Sequence, residues 1–147
     1  MITETPISKA IRRMSSNNDY RWAVDDVRFE NIPQANGANS LTGTYGYPQA
    51  KLWETIDNGS EQYIYNRYAH VNTIFDRDVS TISKTKIKLA NPDQFLVHTE
   101  VCSDFIQQSK VRFLLLTKEL PIEDNCAKLV EVVTYPKLKF FIYKLDY

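Results

Sequence analysis

A long strand-forming segment without glycine or proline, residues 61–75, constrains the fold of this chain most strongly. It follows an Asn-Gly pair at 58–59, and both of these residues can adopt the positive φ that a type I′ hairpin turn needs. Residues 51–75 therefore predict a β-hairpin whose second strand is too long for the first strand to pair completely. We expect a further strand, from this chain or a neighbouring one, to cover residues 68–75.

Further apolar segments have strand character and are bounded by turn residues. They cover residues 20–29, 82–89, 95–101, 111–116, 129–135 and 138–145. Segment 111–116 is apolar almost throughout, which predicts burial on both faces, and segment 138–145 carries lysines after Pro136, which predicts an edge strand. About seven or eight strands with little helix predict a mainly all-β fold, either an antiparallel β-sandwich or a partly open barrel.

One short amphipathic helix is predicted within residues 5–15. Thr5 is a good N-cap, and Pro6 suits the first helical position because its missing N–H costs nothing there. Apolar residues then recur at helical spacing on one face: Ile7, Ala10, Ile11 and Met14. We expect this apolar face to meet a partner subunit.

Residues 31–49 contain three glycines and two prolines among polar residues, a composition that predicts one long polar loop. Structureless loops of this length in a compact domain usually carry function or contact a neighbour. The aromatic pair Tyr45 and Tyr47 at its end is a candidate interaction surface.

Length and charge limit the classes of function. The 147 residues predict a single domain over residues 1–147, and the 18 basic residues balance the 18 acidic ones. A protein that binds phosphates throughout its surface usually has a basic excess, so dedicated nucleic-acid binding is not favoured. Zero net charge also gives little repulsion between copies, which favours self-association.

The first residues and the longest apolar runs contain no targeting or spanning pattern. No apolar stretch of signal-peptide length follows Met1, and runs such as Phe113–Leu116 are too short to cross a bilayer. We therefore expect a virion or cytoplasmic location and no membrane partner. Cys102 and Cys126 are the only cysteines, and without a secretion signal they are expected to be free thiols, a disulfide being the alternative.

No metal or cofactor site is predicted. His98 and Glu100 are two residues apart and would share one strand face, and His70 is the second histidine of the chain. A zinc site needs three or four ligands, and the cysteines lack the Cys-x-x-Cys spacing. A half-buried strand histidine explains each residue without a ligand.

No catalytic residues are predicted either. The chain has no Gly-x-Ser-x-Gly elbow and no glycine-rich phosphate loop, and the acidic pair Asp25–Asp26 is explained by a turn. We therefore expect a protein that is not an enzyme.

An aromatic strand supports an alternative function, a β-rich binding module. Tyrosines and an arginine on an exposed sheet can stack on single-stranded nucleic acid or on a glycan. The residues concerned are Tyr63, Tyr65, Arg67 and Tyr68. Ordinary sheet packing explains the same tyrosines.

The first expectation for function is a non-enzymatic structural protein in a multi-subunit assembly, of the kind found in virus or phage particles as capsid, connector or tail. The chain is short, neutral and β-rich, and it has a helix and a polar loop suited to lying on neighbouring subunits. Its expected partners are further copies of itself and adjacent assembly subunits.

Overall fold

The computed structural model describes residues 4–16, 19–45, 53, 69–75, 85–92, 94–120 and 126–147. Within these ranges the chain forms nine strands in two sheets that pack as a sandwich and do not close into a barrel. The predicted mainly-β sandwich is therefore confirmed. Its sheets are mixed and not purely antiparallel, because three of the strand pairs are parallel.

Short helices punctuate the strands. The helices are α1 (Pro6–Met14), α2 (Ile32–Ala35) and α3 (Asp104–Gln108), with a 3-10 turn at Val27–Phe29. The strands are β1 (Arg21–Val24), β2 (Asn39–Ser40), β3 (Gly43–Tyr45), β4 (Ala69–Phe75), β5 (Lys86–Asn91), β6 (Gln94–Thr99), β7 (Val111–Leu116), β8 (Ala127–Thr134) and β9 (Lys139–Leu145).

Helix α1 forms as its sequence predicts. The hydroxyl of Thr5 accepts a hydrogen bond from the backbone N–H of Ser8 at 3.2 Å and so caps the helix. Arg12 and Arg13 occupy the last turn, where positive charge is favoured by the helix dipole.

Sheet A contains five strands in the order β2-β1-β7-β9-β8. Strand β7 lies at its centre and is buried on both faces, as its apolar sequence predicts. Leu114 and Leu116 of β7 face the second sheet, whereas Phe113 and Leu115 face α1. Sheet A is thus the middle layer of three.

Sheet B contains four strands in the order β3-β4-β6-β5. Strand β4 is the end of the long segment that opened the sequence analysis, and it lies between β3, which is antiparallel to it, and β6, which is parallel. The expectation that another strand covers this segment is confirmed for residues 69–75, and the covering strands come from the same chain.

The predicted hairpin over residues 51–75 lies largely outside the described residues. Trp53 is described, and its backbone is helical, so the assignment of Trp53 to a strand is wrong. Its side chain is buried and packs edge-on against Phe95, with ring centroids 5.2 Å apart. The aromatic side chain thus fills the core between the sheets.

The predicted long loop over residues 31–49 is wrong for residues 31–45, which form α2, β2 and β3. The glycines and the proline of this segment lie within or beside these short elements. Gly43 shows why: its φ is +130°, and a Cβ there would lie 2.5 Å from the side-chain oxygen of Gln34. Glycine therefore lets the chain pass from sheet A to sheet B in contact with α2.

The predicted edge position of the last strand is also wrong. Strand β9 lies between β7 and β8, and β8 forms the edge of sheet A. Pro136 lies in the turn between β8 and β9, and the lysines of β9, Lys139 and Lys144, are exposed on a strand that has neighbours on both sides.

Cys102 and Cys126 form a disulfide, which corrects the expectation of free thiols. Cys102 follows β6 of sheet B and Cys126 precedes β8 of sheet A, and their Cα atoms are 5.9 Å apart. The sequence separation of 24 residues concealed this proximity, which the folding of both sheets creates. The bond links the two layers of the sandwich covalently.

Reduction of this disulfide is expected to destabilise the fold. Opening a loop of this length restores conformational entropy to the unfolded chain, worth about 3 kcal/mol. Urea denaturation with and without a thiol reductant measures the difference, and a Cys102→Ser/Cys126→Ser variant serves as the control because it should not respond to the reductant. Equal midpoints for the wild-type protein with and without reductant would contradict the bond.

Candidate interaction surface

The residues predicted to meet partners have different positions in the structure. Ile7 and Ile11 are buried against sheet A, and Met14 is half-buried beside them, so the apolar face of α1 belongs to the protein's own core. The prediction that this face meets a partner is wrong, because sheet A needs a cover on that side.

The aromatic candidates lie largely beyond the structure's description. Tyr45 pairs through its backbone with Ala69 at the end of β3. The remaining residues lie outside the described ranges: Tyr47, Tyr63, Tyr65, Arg67 and Tyr68. The binding-module alternative therefore remains a prediction from sequence.

The histidine and carboxylate considered as ligands do not share one strand. His98 lies on β6, whereas Glu100 follows the end of that strand and accepts a backbone hydrogen bond from Ser103 in the next turn. Within the described ranges, no group of three His, Cys, Asp or Glu side chains is placed to hold a metal ion.

Exposed apolar side chains concentrate on β8 and the turn that follows it. Among the described residues, nine large hydrophobic side chains are exposed, and five of them lie within residues 129–138. We call these five the β8 stripe: Leu129, Val130, Val132, Tyr135 and Leu138. Their exposed fractions range from 41% to 47%. Such clustering marks an interaction surface more often than isolated exposed residues do.

The edge position of β8 explains why these side chains are exposed. Among the strands that the structure describes, β8 pairs with β9 alone, and Val133 is the only fully buried residue of β8. Leu129 and Val132 pair with Tyr143 and Phe141, which face sheet B, yet sheet B does not cover them. The apolar interior of the sandwich thus continues to its surface along this edge.

Three features of β8 restrict which other strands can pair with its edge. Val130 is one extra residue relative to β9, which is a β-bulge, and Lys128 and Glu131 place charges on the strand. Both charges are paired within the chain, Lys128 with Asp146 at 2.9 Å and Glu131 with Arg13 of α1. Their neutralisation lowers the cost of bringing another protein surface to this edge.

The sequence predicts the strand β8 but not the exposure of its apolar side chains. The apolar run from Leu129 to Val133 predicts a strand, but its composition does not show whether a neighbour covers both sides. That information comes from the strand order, which no local pattern encodes.

A second cluster combines an arginine with two tyrosines at the start of β7. The guanidinium of Arg112 lies 4.2 Å from the ring centre of Tyr20 and 4.8 Å from that of Tyr147. The Tyr147 hydroxyl donates to the backbone oxygen of Val111, and burial raises its pKa, an effect that Arg112 opposes. The contacts fasten the segments before β1 and after β9 to β7, a packing role.

A series of side-chain hydrogen bonds connects the surface of sheet B to a buried carboxylate. The Asn91 amide donates to Gln94 at 2.8 Å, Gln94 donates to Asn72, and Asn72 donates to the carboxylate of Glu30. Glu30 and Asn72 are both buried. These hydrogen bonds hold the segment after the 3-10 turn against sheet B. The side chains of Glu30 and Asn72 would be costly to bury without such partners.

Asp25 joins the ends of β1 and β7. Its carboxylate accepts hydrogen bonds from the backbone N–H and the hydroxyl of Thr117, at 3.1 and 3.2 Å. Burial raises the pKa of Asp25, and the two hydrogen bonds from Thr117 only partly oppose that effect. Its neighbour Asp26 is the opposite case, because a hydrogen bond from Arg28 lowers its pKa.

Asp25→Asn should flatten the pH dependence of stability. A raised carboxyl pKa means that the folded state binds the proton more tightly, so this contribution is present below the unfolded pKa and lost as pH rises through the folded pKa. Urea midpoints from about pH 3 to about pH 7 should therefore fall less with rising pH in the variant. Asp26→Asn is the matched control and should remove a contribution of opposite slope. Identical pH profiles for Asp25→Asn and the wild-type protein would contradict the assignment.

No helix in the described part of the chain is both long and apolar enough to cross a membrane.

A family model described as a domain of unknown function (DUF7654) matches residues 1–147. No curated protein and no solved structure matches the chain.

Proposed function

The chain belongs to this family of domains of unknown function, and we propose that it is a non-enzymatic structural protein of a multi-subunit assembly. The assembly is of the kind that forms a virus or phage particle, with this protein as a capsid, connector or tail component. Its partners are further copies of itself and adjacent subunits.

The observation that carries this proposal is the β8 stripe. Five large apolar side chains on one edge strand and its turn are each more than two-fifths exposed. Complete burial of a large aliphatic side chain contributes about 1.5–3 kcal/mol, so covering the exposed part of these five contributes only a few kcal/mol. Association costs at least about 4 kcal/mol in lost rotation and translation, so a single such contact is weak. Weak contacts of this size suit a subunit that is held by several neighbours at once.

The rest of the chain supports a rigid scaffold. Sheet A is covered on both faces, and the Cys102–Cys126 disulfide ties it to sheet B. Disulfides persist in oxidising surroundings, which include the surfaces of released particles. Small β-sandwich domains are frequent subunits of virus and phage particles, and by analogy this use supports a virus particle as the assembly.

Charged substitutions in the β8 stripe should weaken association. Because a single contact of this size is weak, we expect sedimentation velocity of the wild-type protein at up to about millimolar concentration to show species larger than a monomer. Leu129→Lys/Val132→Lys should weaken association at least about tenfold, because both cations would be buried without partners.

Val27→Lys is the matched control, because Val27 is 53% exposed and lies outside the stripe. This variant should associate like the wild-type protein. A wild-type protein that stays monomeric at all accessible concentrations would exclude the proposal, as would equal association of the double lysine variant.

A further inference from the structure

Backbone contacts at both ends of β8 show which of its N–H and C=O groups point away from β9. The N–H of Tyr135 donates to the carbonyl of Leu138 at 2.9 Å, and the N–H of Asp146 donates to the carbonyl of Cys126 at 2.7 Å. In an antiparallel pair, successive residues direct these groups alternately toward and away from the neighbouring strand. Counting from Tyr135 as far as the bulge assigns Thr134 and Val132 to the open edge, and counting from Cys126 as far as the bulge assigns Ala127 and Leu129.

The bulge makes these four residues evenly spaced. Leu129 lies opposite Tyr143 and Val132 lies opposite Phe141, two residues apart on β9, although they are three residues apart on β8. The extra residue, Val130, absorbs the difference. The open edge therefore offers four regularly spaced pairs of N–H and C=O groups.

We propose that this edge pairs antiparallel with β8 of a second copy of the chain, about a two-fold axis at Glu131. Leu129 then lies opposite Val132 of the partner subunit, and Ala127 lies opposite Thr134 of the partner subunit. All four outward residues find partners in this one register, which joins two five-stranded sheets into a continuous sheet. The inference rests on the proposed function and names the contact between its copies.

Side-chain chemistry supports a second copy as the occupant. The register places Leu129, 43% exposed, against the equally apolar Val132, 47% exposed, on both sides of the axis. It also places Lys128 diagonal to Glu131 of the partner subunit, within the reach of a long side chain. The two Glu131 carboxylates face each other across the axis, and the Arg13 of each chain neutralises its own Glu131.

Cysteine crosslinking tests the register in the full chain. Residue 131 directs its backbone groups toward β9, so the two copies of this residue form a non-hydrogen-bonded pair with Cα atoms about 4.5 Å apart, within the span of a disulfide. Glu131→Cys should therefore give a covalent dimer on mild oxidation, with the 131–131 link identified by peptide mass spectrometry.

Thr134→Cys is the matched control, because its two copies would lie about 20 Å apart in this register. It should give no covalent dimer, whereas an equimolar mixture of Leu129→Cys and Val132→Cys chains should crosslink to each other. Equal crosslinking of Thr134→Cys and Glu131→Cys would overturn the register. Association without any 131–131 link would overturn it too, while leaving the proposed function intact.

Glu131→Gln gives a readout that does not depend on cysteine chemistry. Because Arg13 neutralises each Glu131, this substitution mainly removes the diagonal attraction to Lys128 of the partner subunit, and it should weaken the dimer about two- to fivefold in sedimentation equilibrium. A dimer that is unchanged or tightened by this substitution would contradict the two-fold axis at Glu131. A protein with no self-association in any variant would instead remove the proposed function itself.

Discussion

Burial of sheet A on both faces is the constraint on which the other features of this structure depend. The central strand β7 places Phe113 and Leu115 under α1, and it places Leu114 and Leu116 against sheet B. A strand that is apolar on both faces is stable only between two covering layers, because exposure of either face would forfeit about 1.5–3 kcal/mol for each large side chain. The amphipathic helix is therefore retained by its own sheet and is not available to a partner.

The same constraint explains where the proposed interaction surface lies. Within the described ranges, coverage of sheet A ends at β8, which pairs with β9 alone and whose apolar side chains are exposed. The edge charges Lys128 and Glu131 already have partners in Asp146 and Arg13. An apolar edge with neutralised charges is stable as a monomer surface and favourable as a contact, which is the combination that a reversibly assembling subunit requires.

Local signals in the sequence were sufficient for several elements. The Thr5–Pro6 cap and the spacing of Ile7 and Ile11 predicted α1, and the apolar run at 111–116 predicted a doubly buried central strand. Relations between distant residues were not predictable in this way. The parallel pairing of β1 with β7, the disulfide between Cys102 and Cys126, and the edge position of β8 all depend on the order of strands within the sheets.

The prediction of the interaction surface also failed where it depended on contacts between distant residues. The sequence predicted the apolar face of α1 as a partner surface, since a periodic pattern identifies an apolar face but not what covers it. The residues of the β8 stripe were predicted only as strand residues. Their exposure depends on the strand order, in which β9 lies between β8 and β7. The buried carboxylate of Glu30 was missed for a related reason, because its amide partner Asn72 lies 42 positions away in the sequence.

Amide hydrogen exchange at two protein concentrations tests the open edge of β8 most directly. The N–H groups of Leu129, Val132 and Thr134 should exchange rapidly in dilute solution and become protected at high concentration, as pairing between copies covers them. The N–H of Ile142, which points from β9 toward β8, should stay protected at both concentrations. Equal exchange rates for the three β8 amides at both concentrations would contradict self-association through this strand.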